Sequence, residues 1–144
     1  MTLHIIKLCV GCDSIEDLAN WQAQRIKDQK KRKVKKPELV HVTRMTPKRK
    51  DEVLDGGSLY WVIKGQIAVR QKLLDLKPVT KNGTPHCGLV YDSKLVPVQR
   101  RAHRAFQGWR YLDPKDAPLD ARGTKGLEKL PEKLQAELVE LGLI

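Results

Sequence analysis

Residues 77–91 read KPVTKNGTPHCGLVY, and the fold of the chain turns on this stretch. Asn82-Gly83 is the dipeptide that a two-residue type I′ hairpin favours, because both central residues of that turn need positive φ. It predicts a strand entering at Lys77–Thr80 and another leaving at His86–Tyr91. Upstream the pattern is ambiguous. Ile67, Val69, Gln71 and Leu73 alternate as in a strand, while Ile67, Gln71 and Leu74 also fit a helix. The hairpin downstream favours the strand. Further out, Leu59–Lys64 (LYWVIK) reads as a strand broken at Gly65, Leu39–Met45 as another, and Asp92-Ser93 as a turn into Leu95–Gln99. Leu3–Val10 is apolar on both alternating faces, as a strand buried on two sides would be, and Phe106–Leu112 is a last aromatic strand.

Helical signals are fewer. Ser14 has N-cap chemistry with Asp17 three residues on, and Ile15, Leu18, Trp21 or Gln22, and Ile26 follow at helical spacing. Past Ile26, Lys27, Lys31 and Lys35 set like charges on neighbouring turns, so this end is expected to fray before Pro37. Thr46 and Pro47 suit the start of a short helix through Asp55, closed by a left-handed Gly56 or Gly57. Arg100–Ala105 reads as a basic loop and 113–126 as irregular chain. Pro131 suits the first turn of a C-terminal helix with the stripe Leu127, Leu130, Leu134, Leu138 and Leu141, ended by Gly142. The expected organisation is one α+β domain over residues 1–126, with a helix over 127–144 packed on it.

At 144 residues the chain can bury roughly two thirds of its unfolded surface in one core. The N-terminal stretch MTLHIIKLCVGC lacks a charged leader and its apolar run is short, so neither a signal peptide nor a membrane span is expected. The expected location is the cytoplasm, and three cysteines are expected as free thiols.

Function is read from charge. The net charge is +11, concentrated in three patches: Arg25 to Lys36; Arg44, Lys48, Arg49 and Lys50; and Arg100, Arg101, Arg104 and Arg110. Clustered cations favour a polyanion, because each phosphate contact releases condensed counterions. Two patches lie near aromatics. A groove built from LYWVIKGQIAVRQ and FQGWRYL offers Tyr60, Trp61 and Trp109 as stacking faces, Arg44, Lys48, Arg49, Lys64, Arg70, Arg104 and Arg110 for phosphates, and Gln71 or Gln107 (with Gln66) for a base edge. These are the expected nucleic-acid-binding residues. The competing reading places Trp61 and Trp109 in the core and leaves Lys64, Arg70 and Arg110 as solvated surface.

Cys9-Val10-Gly11-Cys12 has redox-dithiol spacing between a strand and a helix start, but the βαβ alternation of a thioredoxin-like chain is missing. A zinc site from Cys9, Cys12, His86 and Cys87 has suitable ligand types, yet His86 and Cys87 are adjacent on one strand and face opposite ways. No metal, cofactor or catalytic residue is expected. His4, His41 and His103 lack any context marking a general base, and no Gly-rich nucleotide loop, nucleophile elbow or metalloprotease motif occurs.

The blocks LHIIKLCVG with DLANWQ, HVTRMTPKR, LDGGSLYWVIKG with RQKLLDL, and FQGWRYL with DAP resemble a family of short alphaproteobacterial proteins classed as domain of unknown function 1489. That resemblance spans about residues 1–118, leaves out the leucine-rich C-terminal helix, and carries no activity. A looser similarity to PUA-like folds, the ASCH and EVE groups, implies a small, mostly antiparallel, partly open β-barrel flanked by helices, with a pocket for RNA or modified bases. The expectation is therefore a module that binds RNA or single-stranded nucleic acid, with a modified base as the narrower target. The alternative is a small hydrolase of modified nucleosides or nucleotides, with Lys64 and Glu52 as its acid/base candidates.

Overall fold

The computed structural model describes residues 2–121 and 131–141. Among them the chain runs β1 (His4–Leu8), α1 (Ile15–Lys31), β2 (Leu39–Thr43), α2 (Lys50–Val53), β3 (Ser58–Ile63), β4 (Gln66–Lys81), β5 (Thr84–Tyr91), β6 (Val96–Ala102), β7 (Trp109–Leu112), a 3-10 turn at Pro114–Asp116, and α3 (Glu132–Glu140). Seven strands form one sheet in the order β2-β5-β4-β3-β1-β7, with β6 paired to β4 off this path. Only β1 and β3 run parallel; every other pair is antiparallel. The sheet is not closed. Its two ends, β2 and β7, are linked by a side chain, the Trp109 Nε1–H donating to the Met45 carbonyl at 2.8 Å, and not by strand pairing. The fold is α+β; with the sheet not closed, the described strands do not show the partly open barrel that the PUA-like similarity implies.

The hairpin at Asn82-Gly83 forms with positive φ at both residues, 51° and 76°. Its entering strand is continuous with 66–76, so the ambiguous run becomes a single sixteen-residue strand. A second hairpin of the same kind, Lys64-Gly65 (φ 49° and 76°), joins β3 to β4. Strand β3 is buried along all six residues. Its Leu59, Trp61 and Ile63 pack on one face of the sheet with Ile5, Leu18 and Leu89, while Tyr60 and Val62 pack on the other with Ile6, Val98 and Leu112. Alternation along β1 and β3 thus feeds two cores.

Helix α1 starts as its cap chemistry requires, the Asp17 amide donating to Ser14 Oγ at 3.1 Å. It buries Leu18 and Gln22 and leaves Trp21 exposed, which resolves the ambiguous stripe position. The helix also runs beyond Ile26 to Lys31. Basic residues in its last turn face the negative end of the helix dipole, and Gln29 clamps the Glu38 backbone at both its N–H and its carbonyl, 3.0 and 2.8 Å. Together these outweigh like-charge repulsion of a few tenths of a kcal/mol per pair.

Three boundaries differ from the sequence reading. The short helix covers Lys50–Val53 only, with Arg49 as its N-cap: the Arg49 carbonyl accepts the Val53 amide at 3.1 Å, and its own amide donates to the Tyr111 hydroxyl at 3.1 Å. Arg100 and Arg101 belong to β6, where Arg101 pairs with Ile67 of β4, and are not a loop. Strand β7 starts at Trp109, after Gly108 bends the chain with φ 69°. Helix α3 is tied to the body by Arg100, whose side chain is 5% exposed and bonds Glu132 at 2.7 Å; Glu132 also accepts the Ile15 amide at 2.6 Å. The expected positions Leu127, Leu130 and Gly142, and the boundary at 126/127, lie outside the described residues.

Candidate functional site

The sheet divides the four residues on which the aromatic groove depends. Lys7 is the register partner of both Trp61 on β3 and Trp109 on β7, so the two indoles share one face with β1 between them, about 10 Å apart at two strand spacings. Arg110 is opposite Ile6 and Arg70 opposite Tyr60, which puts both guanidinium groups on the other face.

Several of these side chains are committed to structure. Trp61 is 2% exposed, and its Nε1–H donates to Gln71 Oε1 at 2.8 Å. Gln71 is fully buried and exchanges two amide bonds with Gln22 (2.8 and 2.7 Å) while donating to the Asp92 carbonyl at 2.9 Å. Arg70 grips Asp120 with two bonds (2.7 and 2.9 Å) and reaches Ser58 Oγ at 3.0 Å, which holds the Asp120 carboxyl below its ordinary range. Tyr60 is buried edge-to-face against His4. Trp109 is half-buried and stacks edge-to-face on Tyr111 at 4.8 Å. Arg49 pairs with Glu52 and lies 5.7 Å over the Tyr111 ring. Arg110 lies over Phe106 at 5.6 Å and donates to the Gln107 carbonyl. Arg44, Lys48, Arg104 and Gln107 are exposed. Lys64, on the β3–β4 turn with Asp13 at 4.0 Å, and Glu52, in α2 before the start of β3, lie at opposite ends of that strand and do not meet.

A different constellation does converge. A cleft of about 510 Å³ opens between the end of β1, the β1–α1 loop, α1 and β2. Its wall on β1 and the loop carries Lys7, Cys9 and Cys12; its wall on α1 carries Asp17, Trp21 and Arg25; β2 supplies Val40, His41 and Val42; Trp61 lies at the floor and Lys81 at the rim. Helical periodicity sets the α1 wall, because residues 17, 21 and 25 recur every four and form a stripe beside the packing stripe of Leu18, Gln22 and Ile26. Trp21 is 41% exposed, and the Arg25 guanidinium lies 4.2 Å above its ring centroid.

The electrostatics are one-sided. Among the described residues neither Lys7, Arg25 nor Lys81 has a carboxylate in ion-pair contact. Among the described residues the single acid of the cleft is Asp17, which accepts the Asp13 amide at 3.0 Å. Burial pulls Lys7 below its ordinary pKa. His41, edge-to-face with Trp61 at 5.6 Å, is lowered to about 4 by burial and then by the charges of Lys7 and Arg25. Burial, and after it the neighbouring Cys12 side chain, pushes the Cys9 thiol up, which disfavours the thiolate a redox dithiol needs. Cys87 is buried, and among the described residues no three His, Cys, Asp or Glu side chains gather to hold a metal.

Sequence reasoning passed over Lys7, Trp21 and His41. The signals were a lone cation inside the apolar strand LHIIKLCV and an indole four residues before an arginine on one helix face. No helix of the described residues is long and apolar enough to cross a membrane. Neither the curated proteins nor the solved structures compared with this chain give a match. A family model does match, over residues 5–144, including the C-terminal helix that the resemblance left out. With nearly its whole length covered, the chain belongs to the family described as Protein of unknown function (DUF1489).

Proposed function

We propose that the protein is a cytoplasmic module that binds single-stranded nucleic acid, RNA foremost, without catalysis, and that the cleft between β1, α1 and β2 is its site. The observation that carries this reading is the pairing of cations that lack a carboxylate with a part-exposed ring: Lys7 and Arg25 have no carboxylate partner among the described residues, and Trp21 is 41% exposed in the same cleft, with the Arg25 guanidinium over one face of its ring. Positive charge in a groove holds the backbone, and an aromatic face accepts any base. The PUA-like similarity, including a pocket for modified bases, supports the same reading by analogy. The exposed Arg44, Lys48 and Arg104 and the chain from Lys30 to Lys36 extend the positive field beyond the cleft.

The test is anisotropy titration of a labelled uridine heptamer against salt. Affinity should fall with a log-log slope of about −0.7 per phosphate contacted, and Lys7→Gln and Arg25→Gln should each weaken binding while leaving the melting temperature in place. Absence of binding at low salt, or wild-type affinity in both variants, rejects the reading.

A further inference from the structure

The α1 wall of the cleft presents three different chemistries in order: the Asp17 carboxylate, the Trp21 indole and the Arg25 guanidinium, each four residues from the next. At 1.5 Å rise per residue the stripe is about 12 Å long, a span comparable to one nucleotide from base edge to phosphate. A carboxylate is out of place in a site that only holds phosphates, since it repels them. Asp17 is nevertheless the only acid among the described residues that line this cleft. Its Oδ2 takes the Asp13 amide, which orients the group and leaves Oδ1 open among the described residues. A carboxylate only accepts hydrogen bonds, so it selects a ligand edge made of donors.

We propose that the cleft prefers guanine, with Asp17 accepting from the N1–H and the exocyclic N2 amino group on the pairing edge of one unstacked base. This rests on the reading of the cleft as a single-strand site. Guanine alone among the four bases places two adjacent donors on that edge; adenine and cytosine offer one beside an acceptor that the carboxylate repels. The ring lies against Trp21 with the Arg25 guanidinium extending the stack, and Lys7 and the N–H edge of Arg25 hold the neighbouring phosphate. Recognition on the pairing edge requires an unpaired strand, because a duplex hides those donors.

The experiment titrates the full chain with four labelled RNA heptamers at one low salt concentration: all uridine, and the same with a central guanosine, adenosine or inosine. Guanosine should bind about tenfold tighter than adenosine, the low end of what a bidentate base contact discriminates, with inosine, which lacks the N2 amino group, in between. Asp17→Asn should bring guanosine and adenosine to within about twofold of each other while binding the all-uridine heptamer at least as tightly as the wild type, because a charge that repels phosphate is gone; the fold is kept, since the Asn side-chain oxygen can still accept the Asp13 amide and the backbone amide at 17 still completes the Ser14 cap. Equal, salt-sensitive binding of all four heptamers to the wild type overturns the guanine proposal and leaves the single-strand reading standing. A guanosine preference that survives in Asp17→Asn overturns the role of the carboxylate. The inosine comparison needs no variant and so decides even if the substitution disturbs folding. Failure of every heptamer to bind overturns both readings.

Discussion

At the scale of single residues, one network explains why an indole that looks suited to a base pocket is core. Trp61 has a polar N–H that burial would orphan, and Gln71 and Gln22 answer it with amides that satisfy one another. Leaving such a buried donor unpaired costs about 1 to 3 kcal/mol, so the three side chains hold each other in place. Tyr91, edge-to-face with Trp61, belongs to the same cluster, and burial pushes its hydroxyl up to about 12. His41 borders this cluster with two cations facing it, Lys7 from β1 and Arg25 from α1. Its folded pKa of about 4 is below the ordinary 6.5, so between those values the unfolded chain holds a proton that the folded chain does not. Stability therefore falls as pH drops from 6.5 toward 4, by on the order of 2 kcal/mol from this group. Urea melts at pH 7.5 and pH 4.5 should show the loss, and His41→Gln should reduce the difference between them. An unchanged difference in the variant would assign the pH sensitivity to other groups.

At the scale of elements, two glycines mark where chain geometry leaves no choice, for different reasons. Gly57 joins α2 to β3 where a Cβ would run into the carbonyl oxygens of Val53 and Leu3, both of them backbone. Gly65 has open space around it and is required only by its φ of 76° in the β3–β4 turn. Gly65→Ala should thus cost about 1 kcal/mol, the penalty for a left-handed residue with a side chain. Gly57→Ala should cost more than ~3 kcal/mol, because two strands and a helix must move apart to admit one methyl group. Chemical denaturation of both variants ranks them, and the reverse order would mean that the α2–β3 junction yields. The hairpin at Asn82-Gly83 was legible because its dipeptide carries its own conformational preference. Lys64-Gly65 was legible only as a strand break, since lysine has no such preference and takes positive φ here under the demand of the paired strands.

At the scale of the whole molecule, the charge of +11 is spread unevenly around the proposed site. Arg70, Arg100 and Arg49 are neutralised within the fold by Asp120, Glu132 and Glu52, whereas Lys30, Lys31 and Lys35, at and beyond the end of α1, stand at the surface. These lysines continue past Arg25 on the same helix and its exit, so a strand entering the cleft passes their field. Reversing all three to glutamate should reduce the salt slope by about 2, at roughly 0.7 for each phosphate no longer held, and weaken all sequences alike, because phosphate contacts carry no base information. A slope that does not change would place the path of the strand elsewhere.

What the sequence determined by itself was whatever depends on neighbours along the chain: the Asn82-Gly83 turn, the Ser14 cap, the strand patterns at 59–64 and 86–91, and the excess of positive charge. Only the tertiary structure decided which face of the sheet each residue occupies and which cations are neutralised. Trp61 and Trp109 look equivalent in sequence to Arg70 and Arg110 as parts of one groove, yet a register offset of one residue sends the arginines to the far face. Lys7, Trp21, Arg25 and His41 lie on three separate elements, and the packing of α1 across the sheet brings them to one cleft. The physical reason is the range of the forces. Turn and cap preferences act over two to four residues and are written locally, whereas burial and ion pairing act between segments that meet only after the chain has folded.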